Sequence, residues 1–302
     1  MQKLKPRTIE VHVAYSFDMR KQITTYFILF CLASVNSCDD TQKLNNDLTE
    51  EETLFPNMDS TAGELNFVPN ENAYHGTYKE KGIKQCYTIL SEFENGKLID
   101  KYISHVDYYD TLGYLMHSEE YFVNESQPTC TVKYEYDSLR RMIKELWHWK
   151  NPDSFDKSIY KYENRLTEIL DYSKDSLNSD YQLESTTKVF YKNGKIDLLL
   201  TENDDTISYF THKEDHTFQY SKSNVLGAEF QNGLQIKSIY DTSVWSLERA
   251  EKGNVLKMIN RDSSENIEST ITDEYDSELL IKSTTFSEDG EILFIYDYKY
   301  VY

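Results

Sequence analysis

The sequence predicts an all-β protein: a long antiparallel meander of repeated β-hairpins forming a single twisted or curled sheet. The first observation is alternation. Over residues 294–302, Phe294, Tyr296, Tyr298, Tyr300 and Tyr302 share one face, and Ile295, Asp297, Lys299 and Val301 share the other. That is the period of two expected of a pleated strand. The second is turn chemistry. Asn95-Gly96, Asn193-Gly194, Asn232-Gly233 and Asp289-Gly290 fall between such runs, and these pairs tolerate the positive φ of two-residue hairpin loops. The third is recurrence of aromatic strand ends closing on Tyr-Asp, with no proline after Pro152 to interrupt a hydrogen-bond ladder.

Taken from the N-terminus, the chain opens on an export signal. Arg20 and Lys21 precede a mostly apolar run over residues 23–35, and Ser37 precedes Cys38. A positive start, a short apolar core and a small residue make a secretory leader, too short for the roughly 20 apolar residues of a spanning helix. The positive segment directly follows Met19, so translation is predicted to start there, with residues 1–18 an upstream segment outside the mature protein. Val35-Asn36-Ser37-Cys38 resembles the lipobox of bacterial lipoproteins, which implies that residues 19–37 are removed and Cys38 is acylated as the new N-terminus. Asn36 departs from the small residue usual at that place. An ordinary cleaved signal and an uncleaved anchor are the competing readings. Asp39 and Asp40 resemble the export signal of surface-exposed lipoproteins in some Gram-negative bacteria.

Residues 38–73 then read as a flexible acidic tether: Glu50-Glu51-Glu52, two of the five prolines, and many Asn, Asp and Thr without a sustained period. Such composition cannot bury enough apolar area to offset chain entropy. As a coil, it would hold the folded part about 30–35 Å from the membrane. Removing the leader leaves 27 basic against 50 acidic residues in a chain whose full net charge is −20. That surface repels nucleic-acid phosphates and anionic headgroups, so no nucleic-acid partner is expected. Processing also leaves two cysteines, Cys86 and Cys130, in a compartment that permits a disulfide. Sequence alone leaves that pairing open.

The folded domain is expected over residues 74–302. Val132, Tyr134 and Tyr136 alternate with Lys133 and Glu135, and Ile196, Leu198 and Leu200 repeat the pattern. Strand ends recur: Tyr108-Tyr109-Asp110 through Gly113, Tyr134-Glu135-Tyr136-Asp137 through Arg140 and Arg141, Tyr160-Lys161-Tyr162, Tyr191-Lys192-Asn193-Gly194, Phe218-Gln219-Tyr220, Tyr240-Asp241, Tyr275-Asp276 and Tyr296-Asp297-Tyr298. These copies resemble the tyrosine-aspartate (YD) repeats of the Rhs type, in which an aromatic strand ends at Tyr-Asp and turns through a glycine-bearing loop. The Asn-Gly-Lys copies at residues 94–98 and 192–196 equally resemble the short hairpins of MORN-like repeats. Either resemblance implies a repeated hairpin scaffold over about residues 85–302. A lone hairpin is marginal and must stack on its neighbours to bury a face. Tyrosine suits this, packing its ring while its hydroxyl stays wet or bonded.

Chemistry is sparsely marked. His212-Lys213-Glu214-Asp215-His216 has helical metal-site spacing, but it lies between strand-like runs and so reads as a polar turn; it matches neither H-E-x-x-H nor H-x-x-E-H. Trp147-His148-Trp149 puts both indoles on one strand face, where they either stack on sugar rings or pack the sheet. The Tyr296 and Tyr298 stripe carries the same two readings. Asp204-Asp205 and the acids of residues 262–265 lack calcium-loop spacing. There is no nucleophile elbow, phosphate-cradling glycine loop or C-x-x-C pair, and no cofactor or metal is predicted. The expected function is therefore a non-enzymatic, lipid-anchored envelope module that binds an envelope protein or a glycan. The alternatives are a carrier of a lipid or other hydrophobic ligand in a curled sheet, and an envelope hydrolase or immunity factor.

Overall fold

The computed structural model describes residues 75–302 apart from 151, 164, 193–194, 224–225, 233, 240–242 and 251–253. The leader, Cys38 and the tether lie outside the described residues. A short helix, α1 (His75–Lys81), comes first and ends at Gly82, whose φ of 67° stops it. Among the described residues, eighteen strands follow. They are β1 (Gln85–Glu94), β2 (Lys97–Tyr109), β3 (Leu115–Glu120), β4 (Cys130–Tyr136), β5 (Met142–Lys150) and β6 (Asp153–Glu163). Next come β7 (Leu166–Lys174), β8 (Gln182–Lys192), β9 (Lys195–Thr201), β10 (Thr206–Lys213), β11 (His216–Ser221) and β12 (Leu226–Gln231). The last are β13 (Leu234–Ile239), β14 (Ser243–Arg249), β15 (Val255–Asp262), β16 (Ile267–Asp276), β17 (Leu279–Ser287) and β18 (Ile292–Val301).

Every strand pairs antiparallel with the next, and β18 pairs with β1 from Gln85↔Val301 to Glu92↔Phe294, so the meander closes into an 18-stranded barrel. Closure removes both free edges, which an open sheet would leave to aggregate. The curvature has a local source. In most hairpins the second or third residue of the returning strand is an extra, unpaired one: Met116, Ile143, Ile207 and Leu256 are second, and Asp197, Ile236 and Ile281 third. Each such bulge bends its strand and raises the local twist, and their repetition rolls the sheet up. One consequence corrects the sequence reading of β9. The bulge at Asp197 shifts the phase, so Ile196 and Leu199 are buried while Leu198 and Leu200 turn outward.

Five turns share one chemistry. At residues 110–114, 137–141, 201–205, 262–266 and 287–291, the first residue's N–H donates to the fifth carbonyl, and the fourth N–H donates to the first carbonyl. The fifth N–H donates to the side-chain oxygen of the first residue, which is Asp110, Asp137, Thr201, Asp262 or Ser287. The fourth residue has positive φ in all five: Gly113, Arg140, Asp204, Glu265 and Gly290. This is the three-residue hairpin loop closed by a left-handed residue. The aspartates of Tyr109-Asp110 and Tyr136-Asp137 thus act as internal acceptors of their loops, whereas Asp276 precedes a two-residue turn and Asp297 lies inside β18. Asn95-Gly96 is the two-residue turn expected, with φ of 50° and 70°. Asp289-Gly290 is not; it sits inside the longer loop, where Gly290 alone has positive φ. Asn193-Gly194 lies outside the described residues.

Alternation sends one face of every strand into the barrel. The strand starts of β1, β3, β5 and their odd successors form one end (the base), together with α1; the opposite end is the mouth. Toward the base and waist the inner face is apolar and continuous: Leu115, Cys130, Val132, Tyr134, Met142, Tyr160, Ile169, Val189, Tyr191, Ile196, Leu199, Phe210, Ala228 and Phe230 form one buried cluster. Val255 and Met258 form a second, against Trp245, Leu247 and Ile271. The core is thicker than tyrosine-rich strands alone imply. Tyr78 of α1 caps it, its ring edge-on to Tyr109 at 4.6 Å and 6.1 Å from Tyr300.

Candidate functional site

The aromatic residues singled out in the sequence all point inward. Register carries one face from Cys86 through Asp107, Ser118, Val132 and Trp147 to Asp156, crossing β1 to β6. Trp147 and Trp149 stack at 5.9 Å and 15° and pack against the core. Their indole N–H groups donate to Glu145 Oε2 at 3.4 Å and Asp156 Oδ2 at 3.0 Å. Tyr296 and Tyr298 also face inward, opposite Leu90 and Thr88 on β1. Four strands separate them from the tryptophans, roughly 20–25 Å around the wall at the usual strand spacing. The four aromatics do not form one surface.

The same face holds a polar network that sequence reasoning missed. Its centre is Asp107 on β2, which accepts from Ser118 Oγ at 2.6 Å and from the Tyr109 hydroxyl at 3.4 Å, and lies 2.8 Å from His105 Nε2. Burial pushes this carboxyl up, but the adjacent imidazole and the two hydroxyls outweigh it, and Asp107 titrates below its ordinary range. Nearby Glu120 shifts the other way, raised by burial with Asp107 adding to it. The available sequence signal was the period-two spacing of His105, Asp107 and Tyr109. Ser118 joins only through β2–β3 pairing. Serine, histidine and aspartate meet here, yet the aspartate stands between the other two, and the serine proton is directed to it. No nucleophile–base contact results.

Cys86 and Cys130 are buried free thiols on β1 and β4, not a disulfide. Two strands stand between them, and each side chain is enclosed by its own neighbours. Burial first, then nearby carboxylates, pushes both thiols well above their ordinary range, which leaves them unreactive. The His212 to His216 segment is the turn expected between β10 and β11. His212 pairs with Thr217 on the inner face, while the adjacent pair Lys213↔His216 faces outward. The imidazoles therefore point to opposite sides. Among the described residues, no group of three or more His, Cys, Asp or Glu could hold a metal ion.

The mouth differs from the base. Inner-face Asp156 and Ser185 are exposed there, so water reaches the interior along β6 to β8. Ser158 and Ser185 donate to the two oxygens of Asp171 at 2.7 and 2.8 Å. Around this polar wall, exposed apolar side chains fringe the mouth: Leu98, Ile99, Phe122, Val123, Leu177 and Leu183.

No protein-family model matches the sequence, and no curated protein does. Among solved structures, the chain is similar to a porin-like protein from Bacteroides uniformis ATCC 8492, with a TM-score of 0.35, 9% identity, and 72% of this chain and 98% of that chain covered. A porin-like protein from Bacteroides vulgatus ATCC 8482 follows at TM-score 0.22 and 6% identity, covering 72% of this chain and 98% of that one. A chain of the TcdB2-TccC3-Cdc42 structure matches at TM-score 0.17 and 14% identity, covering 68% of this chain and 12% of its own. Similarity at this level carries no argument about function. Among the described residues, no helix is long and apolar enough to cross a membrane.

Proposed function

We propose that the protein is a lipid-anchored, non-enzymatic module of the bacterial envelope that binds an envelope protein or a glycan at the mouth of its barrel. The observation that carries this reading is the difference between the two ends. The base is filled by packed aliphatic and tyrosine side chains and capped by α1. The mouth combines a wet, carboxylate- and indole-lined wall with an exposed apolar fringe, the mixture that recognition surfaces use. Because α1 enters at the base, a tether from Cys38 joins the barrel at the end away from the mouth.

The outer wall argues against a pore in the bilayer. Outward positions within the strands carry Lys133, Lys144, Lys161, Glu168, Glu274 and Lys282, with ion pairs such as Lys144–Glu135 at 2.7 Å and Lys282–Glu274 at 3.4 Å. A lysine facing lipid at mid-depth costs about 2–4 kcal/mol, so this wall belongs in water. A lipid carrier would need an apolar lumen, and here the apolar inner side chains are spent on one another. The test is binding of envelope extract to the immobilised mature protein. Phe122→Asp with Leu177→Asp at the mouth should abolish retention of specific components, while Leu139→Asp on the base turn should not. Equal retention by all three proteins would sink the reading.

A further inference from the structure

We propose that the outer wall of β5 to β7 near the mouth binds the carboxylates of an acidic, uronate-bearing polysaccharide, received by Lys157 and Lys174 where they converge on Tyr181. This rests on the binding-module reading and names the ligand class and the surface.

Register places His148, Phe155, Lys157, Tyr172 and Lys174 on the outer face: His148 pairs with Phe155, Phe155 with Lys174, and Lys157 with Tyr172. An outward phenylalanine is ordinarily wet, yet Phe155 is only 8% exposed. The His148 ring stacks on it at 4.3 Å and 7°, and the Lys174 ammonium sits 4.7 Å from its centroid. Tyr181, from the connection after β7, folds down onto the same wall. Its ring lies 4.1 Å from Lys157 Nζ and 4.8 Å from Lys174 Nζ, and Tyr172 contributes a second ring 4.3 Å from Lys157 Nζ. Lys174 Nζ also donates to the Leu177 carbonyl at 3.1 Å, which ties this connection to the wall. Two ammonium groups are thus held over one aromatic ring by cation–π contacts, in fixed rather than free-swinging positions.

Their convergence is what stands out in a chain of net charge −20, since two ammonium groups share one ring. Lys144, Lys161, Lys188, Lys222 and Lys282 are each ion-paired with a carboxylate. Among the described residues, Lys157 and Lys174 have no ion pair, and neither do Lys133, Lys150 and Lys237, so it is the shared ring of Tyr181 that sets these two ammonium groups apart. Burial, then the neighbouring Lys144 and Lys174, lowers the proton affinity of Lys157. An anion placed between the ammonium groups would relieve that repulsion.

The surroundings select the kind of anion. A bilayer or a nucleic acid would press a broad anionic surface against an acidic protein and be repelled. A uronate chain is narrow and presents single carboxylates at sugar spacing. The aromatic rims of Tyr172 and Tyr181 offer apolar contact for sugar C–H faces beside the charges.

The test is calorimetric titration of the full mature protein with oligogalacturonate, its methyl ester, and dextran sulfate. Oligogalacturonate should bind and the uncharged ester should not. Lys157→Gln with Lys174→Gln should weaken binding about tenfold or more, as loss of charge-assisted contacts does, while Lys157→Arg with Lys174→Arg should retain most of it. Lys133→Gln with Lys161→Gln should leave affinity unchanged. Unaltered melting curves would show each variant folded. Absence of oligogalacturonate binding, equal binding of the ester, binding of dextran sulfate alone, or an unaffected Lys157/Lys174 double variant would each overturn the proposal. Retention of envelope components at the mouth is read independently, because that experiment varies Phe122 and Leu177 rather than the lysines.

Discussion

The hydroxyl of Tyr162 at the end of β6 donates to the main-chain carbonyl of Met142 at the start of β5, 2.7 Å away. The relation recurs: Tyr136 on β4 donates to Leu115 at the start of β3 at 2.6 Å, and Tyr300 on β18 donates to Leu280 near the start of β17 at 2.8 Å. Each tyrosine closes a strand pair at the base, where a bulge has freed a carbonyl from the ladder. Arg140 and Arg141 join adjacent base turns further. Arg140 reaches Asp110 at 3.2 Å, and Arg141 lies over the Tyr162 ring at 4.4 Å. Tyrosine recurs at strand ends because the ring packs inward while the hydroxyl satisfies main chain.

Tyr162→Phe and Tyr136→Phe should each destabilise the barrel by about 1 kcal/mol, since each leaves a half-buried carbonyl without its donor. Urea unfolding checks this. An unchanged midpoint in both variants would show that the hydroxyls are incidental.

Asp137 anchors its turn by accepting from the N–H groups of Leu139 and Arg141, both within 3 Å. Asp137→Ala should lower stability by about 1–2 kcal/mol, and Asp137→Asn, which keeps the acceptor, by less. At the matching fourth position of another turn, Glu265 sits at φ 68°. Glu265→Gly should raise stability by about 0.5–1 kcal/mol by removing that strain. Thermal melts of the three variants read both effects.

Two carboxylates on the inner face, Asp273 buried and Asp107 partly so, should act on stability in opposite directions. Asp273, opposite Ser283, is pushed up to about 6 by burial, with the serine hydroxyl pulling the other way. Folding then favours the protonated form, so its contribution falls as pH rises from about 4 to 6, on the order of 2–3 kcal/mol. Asp107 is held below its ordinary range, so its contribution is present above about pH 4 and is lost as pH falls below that. Stability measured from pH 3 to 7 should show Asp273→Asn removing the loss toward pH 6. Asp107→Asn should flatten the acid limb instead.

Buried thiols at Cys86 and Cys130 should resist alkylation in the native protein and react once it unfolds. Peptide mass spectrometry after iodoacetamide, with and without urea, measures this. A disulfide-linked peptide joining the two would contradict the structure.

Much of the fold was legible because it is local. The alternation at residues 294–302, the Asn95-Gly96 turn and the strand ends at Tyr109-Asp110, Tyr136-Asp137 and Tyr275-Asp276 encode short-range geometry that the structure reproduces, whereas Tyr296-Asp297 lies inside β18 rather than at its end. Less legible was anything requiring a bulge. Ile196, Leu198 and Leu200 read as one face, but one extra residue at Asp197 reverses the side on which the leucines lie. The short α1 was missed because seven residues give too little periodicity. Trp147 and Trp149 were correctly assigned to one face, while which face it was depended on the side to which the sheet curled.

By itself, the sequence determined strand identity, turn positions and the acidic charge balance, because hydrophobic period and loop chemistry act within a few residues. Tertiary structure decided closure, which needs Gln85 to find Val301 across more than two hundred residues. It also decided the meeting of His105, Asp107 and Ser118, and the convergence of Lys157 and Lys174 on Tyr181. These depend on register and accumulated twist, quantities that no single segment carries.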